Sequence, residues 1–176
     1  MSALPTVAET MAFFMMAKNE TYASGKESKR LPFFPKAKMM TFGEGDFRYI
    51  DTWLSYGKPN KYSIRYSFGI TVIFYRGKPI WLMWYQGWWR SNVPGVLNFL
   101  RRALAAATEF RGGRGPGFFR EGDGMSYTNA YDDLWDLEKT FTDFRGHDLV
   151  NVWENKSPHT VYYHDYGGFA LVDLPE

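Results

Sequence analysis

Phe42-Gly43-Glu44-Gly45-Asp46, followed by Tyr49 and Asp51, is the stretch on which the reading of the fold turns. It returns 77 residues later (42 to 119) as Phe119-Arg120-Glu121-Gly122-Asp123, followed by Tyr127 and Asn129. Each copy runs on into a glycine (Gly69, Gly146), a proline-containing turn (Pro79, Pro158) and an aromatic-glycine end (Tyr85 to Gly87, Tyr166 to Gly168). Such self-similarity predicts an internal duplication with repeats at about 39–90 and 118–173. Two related halves packed about a pseudo-twofold axis would share a groove, the natural place for function.

Within the first repeat, strand-like runs fall near 46–56, 62–75 and 79–87, with Arg76-Gly77-Lys78-Pro79 as a turn, which is the pattern of a meander. A helix precedes it over about 6–18, with Val7, Met11, Phe14 and Met15 on one face, Thr6 as N-cap and Glu9 three residues on. Residues 19–38 read as a polar surface loop. A second helix over about 93–108 carries Val96, Leu97, Leu100, Ala103, Leu104 and Ala107 at helical spacing, with Asn92 as cap and Pro94 in the first turn. Arg111 to Gly117 reads as a loop before the second meander. The expected fold is one α+β domain of 176 residues: two pseudo-symmetric antiparallel β-meanders with two packing helices.

Composition narrows the function classes. The 21 basic and 19 acidic residues leave a net charge of +2, too small a field for a strong nucleic-acid signal. The absence of cysteine excludes disulfides, thiolate catalysis and cysteine-ligated metals, and makes the cytoplasm the expected location. No apolar run approaches the roughly 20 residues that span a bilayer, so a soluble chain with no membrane partner is expected. The aromatic fraction is 19%, more than a core needs, which favours half-buried pleated surfaces and ligand-facing walls.

Alternation along the strands sorts the repeated residues. Tyr49, Asp51 and Trp53 share one face in the first copy, and Tyr127, Asn129 and Tyr131 take the equivalent places in the second. The interval from the Glu-Gly-Asp aspartate to the tyrosine is three residues in one copy and four in the other, so a bulge near Met125-Ser126 is expected. The later hairpins align Trp81, Met83 and Tyr85 with Tyr162, His164 and Tyr166, and are expected to build an opposite wall. These residues form the candidate ligand site.

The chain resembles an uncharacterised bacterial family, a domain of unknown function sometimes attached to helix-turn-helix DNA-binding domains. The resemblance rests on Ala17-Lys18 with Thr21-Tyr22-Ala23, Glu44-Gly45-Asp46 with Tyr49 and Asp51, Pro79-Ile80-Trp81 with Tyr85 and Gly87, and the closing Tyr166-Gly167-Gly168. It implies no activity. The fusions imply a sensory role, for which this chain has no room for a DNA-binding domain beside the duplicated core.

Other groupings of chemical interest have plain structural readings as well. Glu44, Asp46, Glu121 and Asp123 are placed to hold a hard cation or to act as acid and base, yet a glycine between two acids before a strand is also what a turn needs. Asn129 in place of Asp51 keeps hydrogen bonding but not ionisation, which weakens a symmetric acid–base pair. His159, His164 and His147 lack metal-ligand spacing, so neither a metal nor another cofactor is expected. Arg111, Arg114 and Arg120 surround a glycine-rich run that is either an anion site or a flexible connector without P-loop spacing.

Three functions remain open. A small-molecule binding module, sensor or sequestering, comes first, its ligand flat or partly polar, with anionic and nucleotide-like molecules among the candidates. A protein-interaction or inhibitor role would use Trp88 and Trp89 as anchors for a protein partner. An acid–base enzyme would use Asp51 and its neighbouring carboxylates.

Overall fold

The computed structural model of the chain describes residues 3–56, 63–122, 124–131, 141–154 and 157–176. Helix α1 (Val7–Glu20) starts where expected. The Thr6 hydroxyl accepts from the Glu9 amide at 3.1 Å, and the Glu9 carboxylate accepts from the Thr6 amide at 2.8 Å. Capping of this kind contributes about 1 kcal/mol. The buried stripe of α1 runs through Val7, Thr10, Phe13, Phe14 and Ala17 and ends on a lysine, Lys18.

Helix α2 (Val96–Ala105) buries Val96, Phe99, Leu100, Ala103 and Leu104, the spacing of one helical face. It begins later than the expected Asn92 cap. Gly95 is left-handed (φ 80°), a conformation no helical residue adopts, so the helix starts beyond it with no side-chain cap.

The strands β1 (Lys29–Arg30), β2 (Ala37–Glu44), β3 (Phe47–Tyr56), β4 (Ile64–Tyr75), β5 (Lys78–Arg90), β6 (Phe118–Arg120), β7 (Met125–Tyr131), β8 (Asp143–Glu154) and β9 (Ser157–Ala170) form one antiparallel sheet. Their order is β1-β2-β3-β4-β5-β9-β8-β7-β6. β2 to β5 are sequential neighbours, as are β6 to β9, and the two runs join where β5 pairs with β9. The expected strand-like runs begin only near 46, so β2 is an addition to them. Only Gly45 turns the chain (φ 53°), whereas Gly43 stays extended within β2, beside the side chain of Arg48.

The first Glu-Gly-Asp is therefore a hairpin turn, closed by the Glu44–Phe47 pair, and Asp46 accepts from Arg76 Nε at 2.6 Å on the surface. Arg76 and Gly77, both left-handed (φ 48° and 78°), make the next two-residue hairpin, the turn geometry that matches strand twist. In the second Glu-Gly-Asp, Glu121 pairs with Arg102, and Asp123 lies outside the described residues.

Both helices pack on the same face of the sheet. Phe14, Tyr49, Ile73, Trp81, Phe110 and Phe144 belong to the core under α1, and Phe99, Leu100, Tyr127, Val150 and Tyr162 to the core under α2. The expected opposite walls do not form: Asp51 pairs with Thr71 and Thr71 with Met83, which puts Tyr49, Asp51 and Trp53 on the same face as Trp81, Met83 and Tyr85. The opposite wall comes instead from the helices and the loop after α2.

Candidate functional site

A cavity of about 180 Å³ lies between the two cores, floored by the sheet and roofed by the helices and the arginine-glycine loop. Its floor is set by a close approach. Gly69 faces Tyr85 across the β4–β5 pair, and a Cβ on Gly69 would stand 2.2 Å from the ring, so only glycine lets the ring lie over β4. Lying there, Tyr85 donates its hydroxyl to Asp51 Oδ1 at 3.0 Å, and Thr71 donates to the same oxygen at 2.9 Å. Asp51 Oδ2 has no partner among the described residues. Burial raises the Asp51 carboxyl to about 6, against the pull of the Thr71 and Tyr85 hydrogen bonds and the Arg114 charge.

The roof supplies cations. Lys18, at the end of the buried stripe of α1, donates from Nζ to the Arg114 carbonyl at 3.3 Å. Burial, reinforced by the positive charge of Arg114, lowers its ammonium to about 7. Arg114 is itself buried, donating from Nε to Asp148 Oδ2 at 3.0 Å and from Nη2 to the Tyr162 hydroxyl at 2.6 Å; Nη1 has no partner among the described residues. Burial opposes its charge, but Asp148, with Tyr162 and Tyr127, outweighs burial and raises the guanidinium well above its usual range. The guanidinium carbon sits 5.5 Å from the centre of the Tyr85 ring.

His164 closes one end. Its Nε2 is 2.8 Å from Ser67 Oγ and its Cδ2 edge packs on Gly87, while Nδ1 is buried without a partner among the described residues. Burial, then the Arg114 charge, holds the ring well below its ordinary pKa, so it is neutral.

Of the expected ligand residues, Tyr49, Asp51, Trp53, Tyr85, Tyr162 and His164 line this cavity. Trp81 is core, its indole donating to the Phe141 carbonyl at 2.9 Å. Tyr127, Asn129, Tyr131 and Tyr166 share the sheet face but lie beyond the cavity: the loop at 111–117 covers Tyr127, Asn129 and Tyr166, and Tyr131 packs beside Phe110 and Phe144. Asn129 Nδ2 donates to the carbonyls of Arg111 (3.1 Å) and Gly115 (2.8 Å), and Asn129 Oδ1 accepts from Tyr166. Tyr127 donates to Asp148 and accepts from the Gly115 amide.

The arginine-glycine run is thus a packed plug rather than a flexible connector. Gly112 and Gly113 are left-handed (φ 60° and 69°) and press against Tyr166 and against Phe14 and Met83, where a side chain would collide. Of the three expected anion-site arginines, only Arg114 reaches the cavity. Arg111 pairs with Glu109 on the surface, and Arg120 lies over Trp153 at 5.9 Å.

Sequence reasoning passed over Lys18, Thr71 and Asp148 as site residues. Lys18 carried a signal, since it continues the apolar stripe of α1 four residues after Phe14. Asp148 carried one too, sharing the inward parity of Phe144 and Val150 on β8. Among the described residues the lining holds Lys18, Lys26, Lys38, Arg101 and Arg114 against one carboxylate, Asp51, with Lys26 paired to Glu20 and Arg114 to Asp148.

A family model described as a domain of unknown function, DUF5680, matches residues 57–170. No curated protein and no solved structure matches the chain.

Proposed function

The chain belongs to the DUF5680 family, whose description assigns no activity, and we propose that it is a small-molecule binding module, a sensor or sequestering domain, whose ligand occupies the cavity over Asp51. The observation that carries this reading is a cavity of about 180 Å³ lined, among the described residues, by five basic side chains, two of them ion-paired, and one carboxylate, beside aromatic rings. Concave sites with a few placed polar groups among apolar walls are where small ligands bind, and the excess of cations favours an anion. The volume favours a single ring over a nucleotide, since an engineered cavity of roughly 150 Å³ takes benzene.

We read the two halves as copies that diverged in function. Tyr85 over Gly69 reaching Asp51 has its counterpart in Tyr166 over Gly146 reaching Asn129. Over Asn129 the space is taken by the plug, and over Asp51 it is left as a cavity. An amide at 129 supplies the N–H donors that two loop carbonyls need, which a carboxylate cannot.

A thermal-shift screen of small ring-bearing anions tests the binding role. A ligand at 100 times its Kd stabilises the fold by roughly 2.7 kcal/mol. A panel of such anions giving no shift would count against it.

The interaction reading is favoured by a different observation. The sheet face away from the helices exposes Tyr56, Tyr66, Phe68 and Phe169 at 42% or more. Its anchors would be these residues and the half-buried Trp88, because Trp89 is buried in the core under α2. Concentration-dependent association in sedimentation, weakened by Phe68→Ser, would support it.

A further inference from the structure

We propose, building on the binding role given to this cavity, that its ligand is a two-ended single-ring molecule: an anionic group such as a carboxylate held by Arg114 and Lys18, and an N–H or O–H donor at the opposite end held by Asp51. The cavity offers complementary free valences. Among the described residues, Arg114 Nη1 is an unused donor, Lys18 Nζ makes a single hydrogen bond, and Asp51 Oδ2 is an unused acceptor. These groups do not satisfy one another, because Arg114 is committed to Asp148 and Tyr162, and Asp51 to Thr71 and Tyr85.

Tyr85 links the two ends. The guanidinium of Arg114 lies over its ring at 5.5 Å and its hydroxyl reaches Asp51 at 3.0 Å, so one ring touches both the cation and the carboxylate. A para-substituted benzene carries its groups at opposite ends, and the volume suits one ring. The second half of the sheet gives the matching chemistry. Where Asn129 presents N–H donors, the space above it is filled by carbonyl acceptors of the loop. Where Asp51 presents a bare oxygen, the complementary occupant is a donor.

Calorimetric titration at pH 7 with para-aminobenzoate, benzoate and para-acetylbenzoate separates the possibilities. The wild type should bind para-aminobenzoate about tenfold more tightly than benzoate, the effect of one hydrogen bond to a charged acceptor, and para-acetylbenzoate less tightly than benzoate. In Asp51→Asn the retained oxygen keeps Thr71 and Tyr85, and the new amide turns a donor into the cavity. The order should then invert, with para-acetylbenzoate the tightest. Lys18→Met should weaken all three alike. Equal affinities for benzoate and para-aminobenzoate, or an unchanged order in Asp51→Asn, would overturn two-ended recognition while leaving a binding module in place. Absence of binding by every ring-bearing anion, here and in the thermal-shift panel, would overturn the binding role and this proposal with it.

Discussion

Tyr85 and Tyr166 stand directly opposite each other where β5 pairs with β9, and each lies over a glycine of its neighbouring strand to hydrogen-bond a side chain one strand further on. Tyr85 crosses Gly69 to Asp51, and Tyr166 crosses Gly146 to Asn129. From the seam the two rings thus reach in opposite directions, Tyr85 over the cavity floor and Tyr166 under the loop at 111–117.

The glycine seats differ in what surrounds them, and their variants should differ in cost. The three atoms nearest a Cβ at Gly69 all belong to the Tyr85 side chain, the first at 2.2 Å, whereas a Cβ at Gly146 meets Tyr166 and also the Ala130 carbonyl at 2.6 Å. Gly69→Ala should lose about 1–3 kcal/mol by lifting Tyr85 off Asp51, and Gly146→Ala should lose more because backbone must also move. Urea denaturation measures both, and a neutral Gly146→Ala would contradict the seating.

Asp51 gives a pH signature. Its folded-state pKa of about 6 lies above the ordinary 3.8, so its contribution to stability is full below pH 3.8 and is lost as pH rises through 6. Asp51→Asn should match the wild type near pH 4 and exceed it by pH 8, by on the order of 3 kcal/mol. Asp51→Ala should be less stable than Asn at both, by about 1–3 kcal/mol, since Thr71 and Tyr85 lose their acceptor. If the molecule is an acid–base enzyme instead, the Asn variant will fold normally and lose turnover. Equal losses in Asn and Ala would sink the acceptor role.

Lys18 has the opposite sign. Its folded-state pKa of about 7 lies below 10.5, so the stability of the neutral amine is full above 10.5 and is lost as pH falls through 7. Lys18→Met should therefore raise the stability of the apo protein at pH 7, by on the order of 1–3 kcal/mol, while weakening anion binding. Thermal melts at pH 7 and 10 would show the gain shrinking at the higher pH; a destabilised variant at pH 7 would contradict a strained, desolvated amine.

These side chains mark how far the sequence could be read. The capping box at Thr6 and Glu9, the Arg76-Gly77 hairpin and the alternation through Tyr49, Asp51 and Trp53 are local, so they were legible. Gly43 within β2 was not, because only its strand neighbour Arg48 reveals that it sits in a ladder rather than a turn. Arg114 was legible as a basic loop residue but not as a buried one, since its counter-ion Asp148 lies 34 residues away in sequence. Six of the eleven expected ligand residues face the cavity; Trp81 is core, and Tyr127, Asn129 and Tyr166 are covered by a loop whose glycines look flexible in isolation and are packed in three dimensions.

The Arg114–Asp148 pair should be costly to break and cheaper to remove together. Both partners are buried, so Arg114→Met leaves an uncompensated carboxylate and should cost about 3–5 kcal/mol. Adding Asp148→Asn keeps an acceptor for Tyr127, turns an N–H donor toward the Tyr162 hydroxyl and removes the charge, and should recover about half of that loss. A double variant no more stable than Arg114→Met would contradict a charge-based penalty.

An amide NMR titration of the wild type with benzoate locates the bound anion. Binding in the cavity over Asp51 should give shifts that cluster at Lys18, Asp51, Thr71, Tyr85, Arg114 and His164 and leave Tyr66, Phe68 and Phe169 on the open sheet face unmoved. Shifts confined to the open face, or none at saturating benzoate, would contradict it.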